Sequence, residues 1–254
     1  MKIYVIVPIL IGAMSVWSSA KAQQPTTPVS ELTGALIGMG GASIQTVTLS
    51  GNAETIAGSS NDSGTFTGNC AINGSSQLSV QLSSSSRTEN RLVTNNFPSG
   101  NWTDSSGVQH AMVLHNLYTP ASWFCPVVEL YQIASSSSVN VEFIGNEPKN
   151  GMTLAHFTVT SIPSVNSPLP ALTTHLAQVD LYLNPQTMLP MVLDFNIHPD
   201  NNALTDIPTE ITFSNYSQVS GVWIPFSIER YVNSTLTLSL QVQSATPVVT
   251  STSN

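Results

Sequence analysis

Three neighbouring stretches decide the fold: VDLYLNPQTMLPMVLDFNI (residues 179–197), EITFSNYSQVSGVWIPFSIERYV (residues 210–232) and LTLSLQV (residues 236–242). Apolar and polar residues alternate along most of their length. The breaks between the alternating runs contain the Asn, Pro and Gly residues that are typical of turns. Because side chains of a strand point alternately to opposite faces, this pattern predicts consecutive antiparallel strands with one apolar face.

Alternation also assigns the residues of these strands to two faces of the predicted sheet. Four acidic residues share the polar face: Asp180, Asp194, Glu210 and Glu229. From the apolar face we select eight residues as the candidate lining of a ligand cavity: Leu181, Leu193, Phe195, Ile211, Phe213, Ile224, Phe226 and Leu238. A curved sheet would make this face the wall of a cavity for an acyl chain, whereas a helix lying on it would make it an ordinary core. The pattern is compatible with both interpretations.

A helix is predicted upstream of these stretches, over residues 29–39. Ser30 is placed as its N-cap, Glu31 lies in the first turn, and Gly40 and Gly41 end it. Its apolar residues recur at spacings of four and three, so one side of the helix is expected to lie against the sheet.

The rest of the upstream chain predicts a meander of strands and a helical middle. Short alternating runs between residues 44 and 103 predict four or five strands, with a bulge at Gly51. Residues 107–134 have apolar side chains at helical spacing and predict one or two short helices. Residues 163–170 are rich in Pro and Ser and predict a loop. The fold class that follows is mainly β, with helices that cover part of the sheet.

The first 22 residues have the features of a secretory signal peptide. Lys2 precedes an almost wholly apolar run over residues 3–16, and Ala20-Lys21-Ala22 provides a small-x-small cleavage site. The run is shorter than the roughly 20 apolar residues that a membrane-spanning helix needs, which argues against an anchor. With no cysteine near the cleavage site to take a lipid, we expect a bacterial periplasmic or secreted protein without a lipid anchor.

The remaining chain is expected to form one domain with short unstructured ends. Composition and pattern predict a mobile arm over residues 23–28, a single domain over residues 29–242 and a disordered tail over residues 243–254. A domain of this length is ample for a hydrophobic core.

The charge balance is strongly acidic. Without Lys2 and Lys21, four of the six basic residues remain, Arg87, Arg91, Lys149 and Arg230, against fourteen acidic ones. Such a surface is a poor partner for nucleic acid and for anionic membrane surfaces. We therefore expect no nucleic-acid partner.

Cys70 and Cys125 are the only cysteines of the chain. In an oxidising compartment a disulfide between them is the natural interpretation, and two buried free thiols are the alternative. Neither cysteine has a partner at metal-binding spacing.

No catalytic or metal-binding motif is present. The five histidines, His110, His115, His156, His175 and His198, do not have the spacing of metal ligands. The chain contains no G-x-S-x-G motif. Two of the four carboxylates could pair as acid and base of a hydrolase, but their face is expected to be solvated. We therefore predict no catalytic residue, no metal and no cofactor.

Two turn motifs carry a resemblance to a known family. The first is DxYxNPxTxLP (residues 180–190), in which a strand enters a turn at the Asn-Pro pair and leaves it at the Leu-Pro pair. The second is YxxVxGVxIPF (residues 216–226), a strand, a Gly hairpin and the return strand. Together with the N-terminal helix and the helical middle, they resemble the outer-membrane lipoprotein carrier superfamily, the LolA/LolB-like fold.

The resemblance implies a curved antiparallel half-barrel whose concave face is covered by the N-terminal and mid-chain helices. It also implies a periplasmic protein that buries a lipid or lipoprotein acyl chain and catalyses no reaction. Carriers of this family hold their cavity closed through an arginine, and Arg87, Arg91 and Arg230 are the candidates by residue type.

The leading hypothesis is therefore a non-catalytic periplasmic carrier for a lipid or lipoprotein. Its partner is a hydrophobic ligand, a monomer is expected, and a transient contact with a membrane or a membrane protein is left open. One alternative is a structural or adhesive surface β-sandwich, which the richness in Ser, Thr and Asn suggests. The other is a secreted hydrolase that uses a carboxylate pair.

Overall fold

A single antiparallel sheet of thirteen strands is the frame of the protein over the residues that the computed structural model describes, 27–94, 97–163 and 169–250. The strands are β1 (Ile44–Ala57), β2 (Ser60–Ala71), β3 (Ser76–Leu82), β4 (Ser86–Thr94), β5 (Phe97–Thr103), β6 (Gln109–Ala111), β7 (Val139–Lys149), β8 (Met152–Ser161), β9 (Val179–Leu183), β10 (Pro190–Ile197), β11 (Ile207–Val219), β12 (Val222–Val232) and β13 (Thr235–Val249). The helices within these residues are α1 (Pro28–Gly38), α2 (Pro126–Ser135), α3 (Pro170–Leu176) and a short 3-10 helix (Leu114–Tyr118).

The sheet consists of two meanders that are joined through their first and last strands. β1 to β6 follow one another in space, as do β7 to β13, and β1 pairs with β13. The sheet is curved and does not close, so β6 and β7 are its two edges. The predicted half-barrel is confirmed, and the alternative of a two-sheet β-sandwich is wrong.

The alternation of residues 179–242 places the core as predicted. Leu181 pairs with Leu193 across β9 and β10, and Leu193 pairs with Ile211 across β10 and β11. These side chains belong to the main core on the concave face. A bulge between Pro190 and Val192 shifts the alternation of β10. Met191, which the pattern assigns to the apolar face, therefore packs against a small second cluster of Leu154, Tyr182 and Val192.

α1 covers part of the concave face. Its N-cap is Thr27, whose Oγ1 accepts a hydrogen bond from the Ser30 N–H at 3.2 Å, so the prediction of Ser30 as N-cap was wrong. The helix begins at Pro28 because the first helical position needs no N–H for the helix and suits the fixed φ of proline. It ends at Gly38 with Met39 as its C-cap, and the next residue is Gly40, whose φ is +73° and whose Cα lies so close to the Gly221 carbonyl that a Cβ would be 2.0 Å from that oxygen.

α2 is attached to the sheet by a disulfide and by an aromatic contact. Cys70 of β2 is bonded to Cys125, the residue before α2, which confirms the predicted pair. Phe124 packs on Gly68 of β2, where a Cβ would lie 2.6 Å from the ring. α2 also packs against α1, so the two helices cover the core together.

Three boundaries differ from the sequence prediction. β6 takes the start of the region predicted to be helical, because residues 109–111 pair with β5. α3 begins at Pro170, where a loop was predicted. β13 continues to Val249, whereas the domain was expected to end at Val242, because Ser244 and Thr246 pair with β1 whatever their side chains are.

The predicted signal peptide (1–22) and most of the predicted arm (23–28) lie outside the described residues, as do residues 251–254 of the predicted tail. Within the described part of the chain, no helix has the length and apolar character needed to cross a membrane.

Replacing both Cys70 and Cys125 by Ser is expected to lower the free energy of unfolding by about 4 kcal/mol, because the bond closes a loop between residues that are 55 positions apart. Urea unfolding of the double variant and the wild type measures this difference. Wild type reduced with dithiothreitol is the control and should match the variant. Equal stability of the oxidised and reduced wild type would contradict the prediction.

Candidate functional site

The concave face is crossed by residues 112–121, which we call the crossing segment. It connects β6, at one edge of the sheet, with the turn that precedes α2, and it contains the 3-10 helix. Because the sheet curves, β4 and β5 lie on one side of this segment, and the loop between β10 and β11 lies on the other. The segment therefore spans the opening between the two halves of the sheet.

Arg91 of β4 holds the crossing segment on one side. Its side chain is buried, with 7% of the residue exposed. Nη1 donates to the Asn116 carbonyl at 2.9 Å and Nη2 donates to Thr119 Oγ1 at 3.0 Å. Nε donates to Glu89 Oε1 at 3.2 Å. Among the three arginines that the resemblance offers, Arg91 is thus the one that hydrogen-bonds the segment.

Asn116 holds the same segment on the other side. Its Nδ2 donates to the His198 carbonyl at 2.7 Å, and its Oδ1 accepts from the His198 N–H at 2.9 Å. His115 Nε2 lies 3.0 Å from the Pro199 carbonyl oxygen. We call Arg91, Asn116 and the backbone of His198 the clasp, because they join β4 to the β10–β11 loop through the crossing segment.

Two cavities border the clasp, and both contact Arg91 and Thr119. The apolar cavity has a volume of about 300 Å³, and its apolar lining includes Val93, Leu117, Ile133, Val139, Val159 and Val179. The arginine cavity has a volume of about 370 Å³, and its lining includes Arg87, Arg91, Arg230, Trp102, Trp123 and Phe195. The crossing segment supplies side chains to both, so its position governs access to them.

In the arginine cavity, the guanidinium groups lie against aromatic rings. Arg87 Cζ is 4.1 Å from the centre of the Trp102 ring, and Arg230 Cζ is 5.5 Å from the centre of the Trp123 ring. Burial lowers the pKa of the Arg230 guanidinium, and the nearby Glu89 opposes this effect. Arg230 Nε is buried and has no hydrogen-bond partner among the described residues.

The apolar cavity contains a buried carboxyl group, that of Glu129 on α2. Its Oε1 accepts a hydrogen bond from the Ser122 N–H at 2.7 Å. Burial raises the pKa of Glu129 from 4.5 to about 7, and the hydrogen bond and the charge of Arg91 lower it by less. This carboxyl therefore carries a proton in much of the acidic range.

The structure buries the eight predicted lining residues in one core. Leu181, Leu193, Phe195, Ile211, Phe213, Ile224 and Leu238 are buried in the main cluster, and Phe226 is partly buried and packs against it. Phe195 also lines the arginine cavity. The helices α1 and α2 cover this core in the closed arrangement, and a role of these residues in ligand binding stays a prediction.

The predicted polar face carries the four carboxylates, with counter-charges from the β7–β8 hairpin. Asp180, Asp194 and Glu210 pair across β9, β10 and β11. Lys149 Nζ lies 2.6 Å from Asp194 Oδ2 and 2.7 Å from Glu210 Oε2. These side chains line a third cavity, of about 890 Å³, and are partly shielded rather than fully solvated.

Two of the four carboxylates considered for a hydrolase, Asp194 and Glu210, are thus bridged by one ammonium group. Burial raises the pKa of Asp194, while Lys149 opposes this shift. In an acid–base pair, one carboxyl group must carry a proton while the other is ionised. Lys149 joins Asp194 and Glu210 in an ion-pair network and favours the ionised form of both, but burial has the larger effect at Asp194 and leaves its pKa raised.

Three side chains that sequence spacing left apart come together beside the clasp. Nε2 of His175 and Nε2 of His198 lie 2.9 Å and 3.1 Å from the same Asp206 oxygen. A divalent metal could take these three donors, which lie within 4.8 Å of one another. However, a metal-bound histidine donates its second ring N–H to a partner, and Nδ1 of His198 is buried with no partner among the described residues. Hydrogen bonds from both Nε2 atoms to Asp206 hold the three side chains together in the described structure.

Glu129 gives the stability a defined pH dependence. Its folded-state pKa is raised, so the folded protein binds more protons than the unfolded chain between pH 4.5 and about 7. The free energy of unfolding should therefore fall as pH rises through this window. Glu129→Gln keeps an acceptor for the Ser122 N–H. Relative to this variant, the free energy of unfolding of wild type should fall by roughly 3 kcal/mol across the window.

Urea unfolding at a series of pH values measures the difference between wild type and Glu129→Gln. Glu142→Gln, which changes an exposed carboxylate on β7, is the matched control and should follow the wild-type curve. Parallel curves for Glu129→Gln and wild type would contradict the assignment.

Comparison with known proteins identifies the fold. No family model and no curated protein matches the chain. Among solved structures, it is similar to an outer membrane lipoprotein-sorting protein domain from Vibrio parahaemolyticus (8% identity, TM-score 0.55, 86% of this chain and 91% of that one). It is also similar to a DUF1329 family protein from Desulfovibrio piger (9%, 0.54, 87% and 93%) and to a LolA superfamily protein from Nitrosomonas europaea (13%, 0.52, 87% and 93%). The curved sheet, the covering helices and these likenesses show that the chain has a LolA-like fold.

Proposed function

We propose that the protein is a periplasmic, non-catalytic carrier that binds an apolar chain beneath the crossing segment. The observation that carries this proposal is the clasp: a segment lies across the concave face, is held by side chains at both ends, and borders two cavities. The name of the Vibrio parahaemolyticus relative, a lipoprotein-sorting domain, agrees with a ligand of this kind.

Opening of the clasp would give access to the concave face. The bonds of the crossing segment to Arg91 and to the His198 backbone are polar and local, so the segment would open without breaking the strand pairing of the sheet. Each cavity is at the small end of ligand pockets, which typically measure about 300 to 1,000 Å³. Displacement of the segment would enlarge the space, because both cavities end at its side chains.

The bound chain is proposed to contact the apolar residues of the concave face. Val159 and Val179 line the apolar cavity, and Phe195 lines the arginine cavity. The eight lining residues predicted from the sequence lie behind or beside these side chains and would be reached as the segment lifts. Each CH₂ group buried there contributes about 0.8 kcal/mol to binding. No reacting group is required for this function, and we propose that the protein acts as a monomer.

Arg91→Met is expected to accelerate the uptake of a neutral apolar fluorophore, N-phenyl-1-naphthylamine, by roughly tenfold or more. The substitution removes two charge-assisted hydrogen bonds that hold the segment closed, each worth about 1.5 to 3 kcal/mol. Stopped-flow fluorescence measures the association rate.

Arg87→Met is the matched control, because Arg87 lies on the same strand and face but forms no hydrogen bond with the crossing segment in the described structure. It should leave the association rate near that of wild type. Equal rates for Arg91→Met and wild type would refute the clasp as a gate, and the absence of uptake by every variant would refute apolar-chain binding.

The natural ligand is accessible to native mass spectrometry. Protein purified from its own source without detergent should carry a lipid or acylated molecule that organic extraction releases. If the protein is free of lipid and also does not take up the fluorophore, the carrier proposal fails.

A further inference from the structure

The basic side chains are distributed unevenly between the two faces of the sheet. Residues 27–250 contain four basic residues, and three of them, Arg87, Arg91 and Arg230, line the arginine cavity. The fourth, Lys149, lies on the opposite face, where Asp194 and Glu210 neutralise it. A protein with a formal net charge of −8 thus concentrates its positive charge inside the concave face.

The acidic residues of the arginine cavity do not balance these arginines. Glu89 and Asp200 are the carboxylates of its lining, and Glu89 is bonded to Arg91 at 3.2 Å. Arg91 is further occupied by the crossing segment. Arg87 and Arg230 therefore keep guanidinium donors that face a cavity of about 370 Å³.

The shortage of acidic partners in the arginine cavity is clearest at Arg230. It projects from β12 on the same face as Ile228, is partly buried, and has a buried Nε without a partner among the described residues. Its aromatic neighbour is Trp123, and Arg87 repels it. An unpaired buried donor of a charged group costs free energy, and an oxyanion in the cavity would remove this cost.

Arg87 is held in a fixed orientation at the exposed side of the cavity. Its guanidinium lies over Trp102, Trp102 stacks on His110 at 4.1 Å, and His110 Nε2 is 2.9 Å from Asp104. This stack limits the rotamers of Arg87, whose guanidinium forms no hydrogen bond with the described residues. A guanidinium fork matches the two oxygens of a phosphate or carboxylate.

We infer that the arginine cavity binds the anionic head of an amphiphile, a phosphate, sulfate or carboxylate group held by Arg230 and Arg87. Phe195 and Ile197 line the same cavity, so an apolar chain attached to the head continues onto the concave face. The inference rests on the proposed function for the chain and adds the charge and position of the head. The site selects an anionic amphiphile over a neutral one of equal chain length.

Titration calorimetry of the purified protein with three probes tests this inference. The first is dodecyl phosphate below its micelle concentration. The second is dodecyldimethylamine oxide at mildly alkaline pH, which has the same chain and an uncharged head, and the third is inorganic phosphate. Wild type should bind dodecyl phosphate at least about tenfold more tightly than the amine oxide, because charge-assisted hydrogen bonds hold its head.

Arg230→Met should reduce the affinity for dodecyl phosphate by about tenfold and leave that for the amine oxide unchanged. Arg230→Lys, which keeps the charge without the fork, should be intermediate. Lys149→Met is the matched control, because it removes one positive charge from the opposite face, and it should bind both amphiphiles as wild type does. If Arg230→Met does not fold, the salt dependence of binding by wild type is the test. Raising NaCl from about 0.05 to about 0.5 M must lower the affinity for dodecyl phosphate and leave the affinity for the amine oxide unchanged.

Equal affinities of wild type for the two amphiphiles would overturn this inference and leave the carrier proposal intact. Binding of neither amphiphile would overturn both. Binding of inorganic phosphate as tightly as dodecyl phosphate would show a site for a free anion and would overturn the inferred amphiphile. A loss of dodecyl phosphate affinity in Lys149→Met equal to that in Arg230→Met would also overturn the assignment to the arginine cavity.

Discussion

The pairing of β1 with β13 is the interaction on which the whole structure depends. It joins two meanders whose chain connection is the crossing segment and α2, and it involves residues from nearly opposite ends of the described chain. Gly51 makes it possible at one point, because a Cβ there would lie 2.0 Å from the Gln241 carbonyl oxygen at the bulge of the ladder. Without this pairing the sheet would be two smaller ones, and no concave face would lie between β4 and the β10–β11 loop. Such non-local pairing is typical of slow folding, because the entropy of closing a long loop is lost before the contacts that compensate for it have formed.

A curved sheet with one apolar face has to be covered, and the chain covers it in two physically different ways. α1 and α2 bury the middle of the face with apolar side chains and a disulfide, which makes a permanent core. The crossing segment covers the opening with hydrogen bonds to Arg91 and to the backbone around His198. A hydrogen bond that breaks is replaced by one to water at a small net cost. Exposing a buried apolar side chain to water has no such compensation. On the proposed function, this difference would let the crossing segment open while the helices stay in place.

Sequence patterns predicted what depends on neighbours in the chain. The alternation through Leu181, Leu193 and Ile211 identified the concave face, because each strand pairs with the next. The clasp could not be predicted in the same way, since Arg91, Asn116 and His198 meet only after the sheet has curved. The same holds for His175 and Asp206, whose positions in the chain show no regular spacing. Met191 and the extension of β13 to Val249 were missed because a bulge and a central position in the sheet override side-chain alternation.

Lys149 and Arg230 indicate different roles for the two faces of the sheet. Both residues bring a positive charge to a partly enclosed site in an acidic chain. Lys149 meets two carboxylates at 2.6 and 2.7 Å, which is the arrangement expected of a group whose role is structural. Arg230 has an aromatic ring and an unused buried donor instead, although Glu89 is near enough to influence its charge. A chain with fourteen acidic residues has ample means to neutralise one arginine. Asp194 Oδ1 on the outer face also lacks a hydrogen-bond partner among the described residues, but its carboxylate is paired with Lys149, whereas no described carboxylate forms an ion pair with Arg230. The concave face is therefore the one on which a positive charge calls for an anion from outside.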